Sequence, residues 1–192
     1  ALLVLATAMS FSPGPNTTLS TTLAANGGLP RAMRFIFAVP VGWSLLLCLC
    51  SAGVGALILA APALRIAVQL LGIGYLLYLA WKLAGSAALA SAKDAPLQVG
   101  FWQGVALQFL NIKAWLLALT IVAGWIAGQA DALHRFAIVA PVMLVFAFTS
   151  NFAYALAGAL LRNWLAQGRR LLWFNRVMAL VLVLTAYWMA RV

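Results

Sequence analysis

Ser12-Pro13-Gly14-Pro15-Asn16 interrupts an apolar segment that runs from Ala1 to about Ala25. Two prolines remove two backbone donors and fix φ, and the glycine between them tolerates angles that other residues avoid, so the spacing predicts a broken helix. In hydrocarbon a freed N–H or C=O is costly unless it is buried in protein or lines a watery cavity. The interruption therefore points to a transport path. A turn between two short surface elements is the alternative, and the apolar flanks disfavour it.

Composition gives the surroundings of that break. Of 192 residues, 66% are hydrophobic and 7% charged, and the mean hydropathy is +1.07. Such values belong to membrane proteins. Six spans of about 20 residues with short connections use nearly the whole length, so residues 1–192 read as one transmembrane domain. The net charge of +10 does not indicate nucleic acid, because the basic residues stand singly or in pairs at the ends of apolar runs, with no basic groove or stacking platform. Cys48 and Cys50 point to different faces of one helix and are read as structural thiols. His134 stands alone, so no metal or cofactor site is expected. Nor is the first segment expected to be a cleaved signal peptide, since apolar character resumes beyond Pro15.

The apolar runs predict spans over about 1–25, 35–60, 63–83, 101–125, 136–161 and 171–190. Pro40 and Gly42 are expected to kink or close-pack the second. The stretch 86–100 reads as a polar loop with Ser86, Ser91, Lys93, Asp94, Pro96 and Gln98. Gly100-xxx-Gly104 and Gly124-xxx-Gly128 offer close helix packing, within the bundle or between copies, so a homo-oligomer stays open. Arg31, Arg34, Lys82, Lys93, Arg162, Arg169, Arg170 and Arg176 fall on one side, against Arg65, Arg135 and Arg191 on the other. The richer side should be cytoplasmic, with both termini outside. Trp102, Trp125, Trp164, Trp173 and Trp188 near the span ends fit an interfacial belt against lipid.

A second interruption, Asn111-Ile112-Lys113, lies in the fourth span about half a chain from the first. Each opens a group of three spans. Three is odd, so the groups (about 1–85 and 101–192) run in opposite senses, which is the inverted-repeat architecture with a substrate site at discontinuous helices. The fold class expected is all-α, with six transmembrane helices, the first and fourth interrupted. Lys113 is the one charged residue placed deep in a span, where insertion costs about 2.5–3.5 kcal/mol. It either snorkels to an interface or lines the path and attracts a carboxylate. The N–H groups of Asn16, Thr17 and Thr18, where helix restarts, favour an anion too. Asn16 and Asn111 offer hydrogen bonds to either end of a zwitterion, and Gln108 shares their face or serves polar packing. The substrate-binding set is thus Pro13, Gly14, Pro15, Asn16, Thr17, Gln108, Asn111 and Lys113.

The only acidic residues, Asp94 and Asp131, fall in predicted loops. A cationic substrate then has no counter-charge inside the membrane, and no carboxylate relay is available to carry protons. A neutral zwitterion fits better. Catalysis is not expected, because the spans hold no His/Asp/Glu cluster and no serine with a base. A passive pore or a non-transporting scaffold is the competing class.

Several segments resemble those of the LysE/RhtB family of amino-acid exporters: Ser12 to Asn16, Gly27-Gly28 with Arg31 and Arg34, Gly74 to Lys82, and Phe101 to Lys113. The resemblance covers essentially the whole chain, and implies proton-driven efflux of amino acids or close derivatives across the bacterial inner membrane. Phe101 to Lys113 and Asn151 to Gly158 look closest to the cysteine/O-acetylserine exporter branch; a homoserine- or threonine-like substrate stays open. Ile112 stands where the family's Asn-Pro-Lys has proline, so a milder second break is expected. Pro40 stands where relatives usually have glycine.

Overall fold

The computed structural model of the chain describes residues 1–86 and 97–191, with side chains at all of these except 57–59. The described residues form nine α-helices and no strand: α1 (Leu2–Phe11), α2 (Pro15–Gly27), α3 (Leu29–Ser51), α4 (Val54–Ala60), α5 (Pro62–Ala84), α6 (Phe101–Leu110), α7 (Ile112–Ile121), α8 (Ala132–Leu165) and α9 (Arg170–Met189). A π-helical turn, Val122–Ile126, continues α7. The polar loop expected over 86–100, with Ser91, Lys93, Asp94 and Pro96, lies mostly outside the described residues.

Helices α3, α5, α8 and α9 are long and apolar enough to cross a membrane, and the bent pair formed by α6 with α7 and its π-helical turn passes the same test when taken as one span. The chain is a multi-pass membrane protein. Of the six expected runs, the first is the one that fails this test, and α2 is the reason. Its sequence Pro-Asn-Thr-Thr-Leu-Ser-Thr-Thr is too polar for lipid, and ten of its thirteen residues are buried. Protein surrounds α2 instead of lipid.

Hydrogen bonds make that burial tolerable, since an unpaired buried polar group costs about 1–3 kcal/mol. The Ser20 hydroxyl donates to Asn151 Oδ1 of α8 at 2.9 Å. Asn26 and Asn175 exchange two amide bonds of 2.8 and 3.0 Å, and Asn175 also donates to the Ser86 carbonyl at 3.1 Å. At 28 the chain reverses directly from α2 into α3 with a φ of 86°, a conformation that favours glycine.

The second run differs from expectation. It begins at Leu29, not near Phe35, and divides at Ala52-Gly53 into α3 and α4. Pro40 sits inside α3 without ending it. Gly42 packs closely, as its position suggested: a Cβ there would come within 2.7 Å of the Val105 carbonyl of α6. Gly104 packs within the bundle as well, against Ala38 and Phe35. Gly124 and Gly128 do not pack within the bundle, because neither has an atom within 4 Å of its Cβ position. Gly128 instead lies in the turn before α8, with a φ of 72°.

Contacts between the two halves of the chain dominate the packing. Helix α2 packs most extensively on α8, α5 on α9, and α3 on both α8 and α6. One apolar cluster joins Leu19, Phe35, Ile36, Leu76 and Leu182, and a second joins Ala6, Trp43, Leu46, Trp115 and Met143. The basic residues separate by end. Ala25, Leu165 and Leu171 cluster together, so the starts of α3 and α9 and the end of α8, with Arg31, Arg34, Arg162 and Arg170, share one end. At the other, Gln69 donates to the Met189 carbonyl, bringing the Arg65 and Arg191 segments together. Trp81, Trp102, Trp164 and Trp173 are all exposed.

Candidate functional site

Both interruptions are present. Helix α1 ends at Phe11, Ser12 is extended (φ −72°, ψ 141°), and α2 restarts at Pro15 with Gly14 as its N-cap. Helices α6 and α7 meet at Asn111 with a bend of 70°. Asn111 performs the interruption itself: its backbone is extended (φ −98°, ψ 100°) and its side-chain oxygen accepts the Lys113 N–H at 3.1 Å, capping α7. A cap of this kind starts a new helix without proline.

The two breaks face each other. Lys113 Nζ donates to Ser12 Oγ at 2.6 Å and lies 3.4 Å from the Ser12 carbonyl. The snorkelling alternative is thereby set aside. Asn16 and Gln108 exchange two amide hydrogen bonds, 2.8 and 3.1 Å long, and Gln108 also donates to the Gly104 carbonyl at 3.0 Å. Gly14 lies beside the lysine, with its Cβ position 3.4 Å from Lys113 Nζ.

Two of the carbonyls freed at the helix ends are taken up locally. Pro15 has no N–H for the Phe11 carbonyl, which accepts the Tyr154 hydroxyl of α8 at 2.8 Å. The Phe109 carbonyl accepts the Trp115 indole N–H at 2.9 Å. One expectation needs correcting at α2. The Thr18 N–H bonds the Gly14 carbonyl at 3.0 Å, so the orphan first-turn donors are those of Asn16 and Thr17. The Thr17 hydroxyl holds the Gly14 backbone, accepting its N–H at 3.0 Å and donating to its carbonyl at 3.1 Å.

A small cavity of about 70 Å³ lies between the breaks. Gly14, Pro15, Asn16, Thr17, Asn111 and Lys113 line it. Pro13 does not; it lines a second, more apolar cavity that shares Met9, Gly14 and Lys113 with the first and is closed by residues of α9. Gln108 lines neither and is fully buried, so its work is to hold Asn16. The first cavity also takes Ser12, Trp43, Met143, Ser150 and Asn151. Ser12 belongs to the interrupting stretch and Asn151 to a segment that resembles the exporter branch, but the sequence assigns neither them nor Ser150 a role in a site. Trp43 and Met143 carry no signal that separates a cavity wall from core. Among the described residues no cluster of His, Cys, Asp or Glu is arranged to hold a metal.

The profile of the LysE type translocators matches residues 7–191. The chain belongs to that family. Two relatives agree with this. The cysteine/O-acetylserine efflux protein of Salmonella paratyphi A is 33% identical over 178 residues, 92% of this chain and 89% of the relative. That of Escherichia coli K12 is 32% identical over the same shares. No solved structure matches the chain. In this LysE translocator, the matched region contains both breaks and every residue lining the cavity between them.

Proposed function

We propose that the protein is a secondary exporter of a small zwitterionic amino acid or derivative, cysteine or O-acetylserine being the leading candidates, across the bacterial inner membrane. The observation that carries this reading is the juxtaposition of two broken helices around one lysine. At the first break a helix C-terminus and a helix N-terminus lie side by side, with Ser12 ending α1 and Pro15 starting α2. A C-terminus attracts cations and an N-terminus attracts anions. That pair of opposite partial charges matches the ammonium and carboxylate of an amino acid. Lys113, with no carboxylate among the cavity residues, and the N–H groups of Asn16 and Thr17 hold the substrate carboxylate. Asn111 and backbone carbonyls at the break take the ammonium and side chain. The amide of Asn16 is committed to Gln108 and positions the first turn of α2.

We read the architecture as two inverted groups of three spans, with α1 and α2 together forming the first. The facing breaks and the extensive packing of one half on the other support this. The richly basic end of the bundle would then be cytoplasmic, with both termini in the periplasm. The relatives are named as efflux proteins, and we read this chain as a transporter too, not as an enzyme. Coupling to protons is part of the proposal.

Counterflow in reconstituted vesicles tests the reading. Cysteine or O-acetylserine loaded on one side is expected to stimulate uptake of the same labelled compound from the other, and lysine is expected to be rejected. No stimulation by any of cysteine, O-acetylserine, threonine or leucine would contradict a carrier, leaving a pore or scaffold. Transport of lysine would contradict the zwitterion assignment.

A further inference from the structure

Ser12 is set as an acceptor. Its hydroxyl donates to the Met9 carbonyl at 3.0 Å, so the hydrogen is spent on α1 and the oxygen lone pairs face the cavity. The Ser12 carbonyl points the same way, toward Lys113. Both oxygens sit at the C-terminal end of α1, where the helix dipole favours positive charge. Two acceptor oxygens at a helix C-terminus make this a position for a cation.

Lys113 already supplies one. Its ammonium fills the position, with the lysine stem beside Gly14. A second ammonium can reach the same two oxygens only when that of Lys113 has left them. We infer that Ser12 is the subsite for the substrate's ammonium, and that Lys113 is a tethered placeholder which occupies it when no substrate is bound. This rests on the transport reading above. On binding, the substrate carboxylate draws the Lys113 ammonium away from Ser12, and the substrate ammonium takes its place on Ser12 Oγ and the Ser12 carbonyl. One cation replaces another, so the buried charge at the end of α1 is conserved and no proton need move. The exchange has a consequence for selectivity. A primary amine without a carboxylate has nothing to draw Lys113 off, and is excluded by it.

The test uses 2-aminoethanethiol, which is cysteine without its carboxyl group, in calorimetric titrations of the purified full chain at pH 6 under reducing conditions. Wild type and Lys113→Arg are expected not to bind it, whereas Lys113→Met is expected to bind it. Adding Ser12→Ala to Lys113→Met should weaken that binding about tenfold, the effect of one hydrogen bond to a charged group. In an otherwise unchanged chain, Ser12→Ala weakens the hold on Lys113 and on the substrate ammonium alike, so the KM for amino-acid counterflow should stay within about threefold of wild type. This second arm stands even if Lys113→Met fails to insert. Equal amine binding by wild type and Lys113→Met, or a KM raised about tenfold by Ser12→Ala alone, would overturn the assignment. If wild type shows no amino-acid counterflow at all, the transport reading fails instead, and the amine titrations still report on the placeholder.

Discussion

The Lys113 ammonium lies 2.6 Å from the Ser12 hydroxyl, joining the start of α7 to the end of α1 across 101 positions of sequence. That contact ties two helix interruptions into one structure. Together with the Asn16–Gln108 pair it forms two polar bridges between the breaks, and the cavity lies beside them.

The Asn16–Gln108 bridge should matter for stability. Gln108 is fully buried, so Asn16→Ala strands its side-chain oxygen and is expected to destabilise by about 1–3 kcal/mol. Thermal unfolding in detergent reads this as a lowered Tm. The double variant Asn16→Leu/Gln108→Leu should recover part of the loss, because removing both partners strands neither.

Close approach of α2 and α8 depends on Gly158. A Cβ at that position would stand 2.2 Å from the Thr21 carbonyl, and backbone cannot give way as a side-chain tip does. Gly158→Ala should therefore lower the Tm and reduce the inserted protein. Gly124→Ala, at an open position of the π-helical turn, should leave both unchanged.

Tyr154 holds the carbonyl that Pro15 leaves without a donor. Tyr154→Phe removes one hydrogen bond, for an expected loss of about 0.5–1.5 kcal/mol, and frees the end of α1. The altered geometry of α1 should appear as a changed counterflow rate with near-normal insertion. An unchanged rate would show that α1 is held by Lys113 alone.

Asp131 and Arg135 form an exposed ion pair of 2.7 Å. The hydrogen bond from the Arg135 side chain holds the Asp131 carboxyl below its ordinary value. A depressed carboxylate favours the folded state above its unfolded pKa, and that contribution is lost as pH falls through the folded value. The pair sits at the start of α8 and lines no part of the cavity between the breaks. Asp131→Asn should accordingly leave counterflow and its pH dependence unchanged, measured across pH 5 to about 8, the range that covers ordinary enzyme stability.

Much of the site was legible because prolines, an Asn-Ile-Lys run and a lone intramembrane charge are each costly in lipid and so stand out locally. The break positions, the residues Gly14, Asn16, Asn111 and Lys113, and most helix limits follow from that cost. How the second break forms was not legible, since no proline marks it and an asparagine cap ends one helix and starts another. Span counting was blurred at α2, whose threonines and serines look unfit for a membrane until Asn151 and Asn175 are seen to enclose and pair with that helix. The role of Gln108 was equally hidden. Spacing put it near Asn111, but only packing shows that it points away from the cavity to hold Asn16. Trp43 and Met143 reach the cavity through tertiary arrangement alone.

The central claim is that the two breaks build one substrate site around Lys113. Counterflow of labelled cysteine or O-acetylserine in vesicles containing Lys113→Met, with insertion checked on the same sample, tests it most directly. The account predicts a correctly inserted protein whose substrate-stimulated exchange is abolished. Exchange at the wild-type rate in that variant would contradict it.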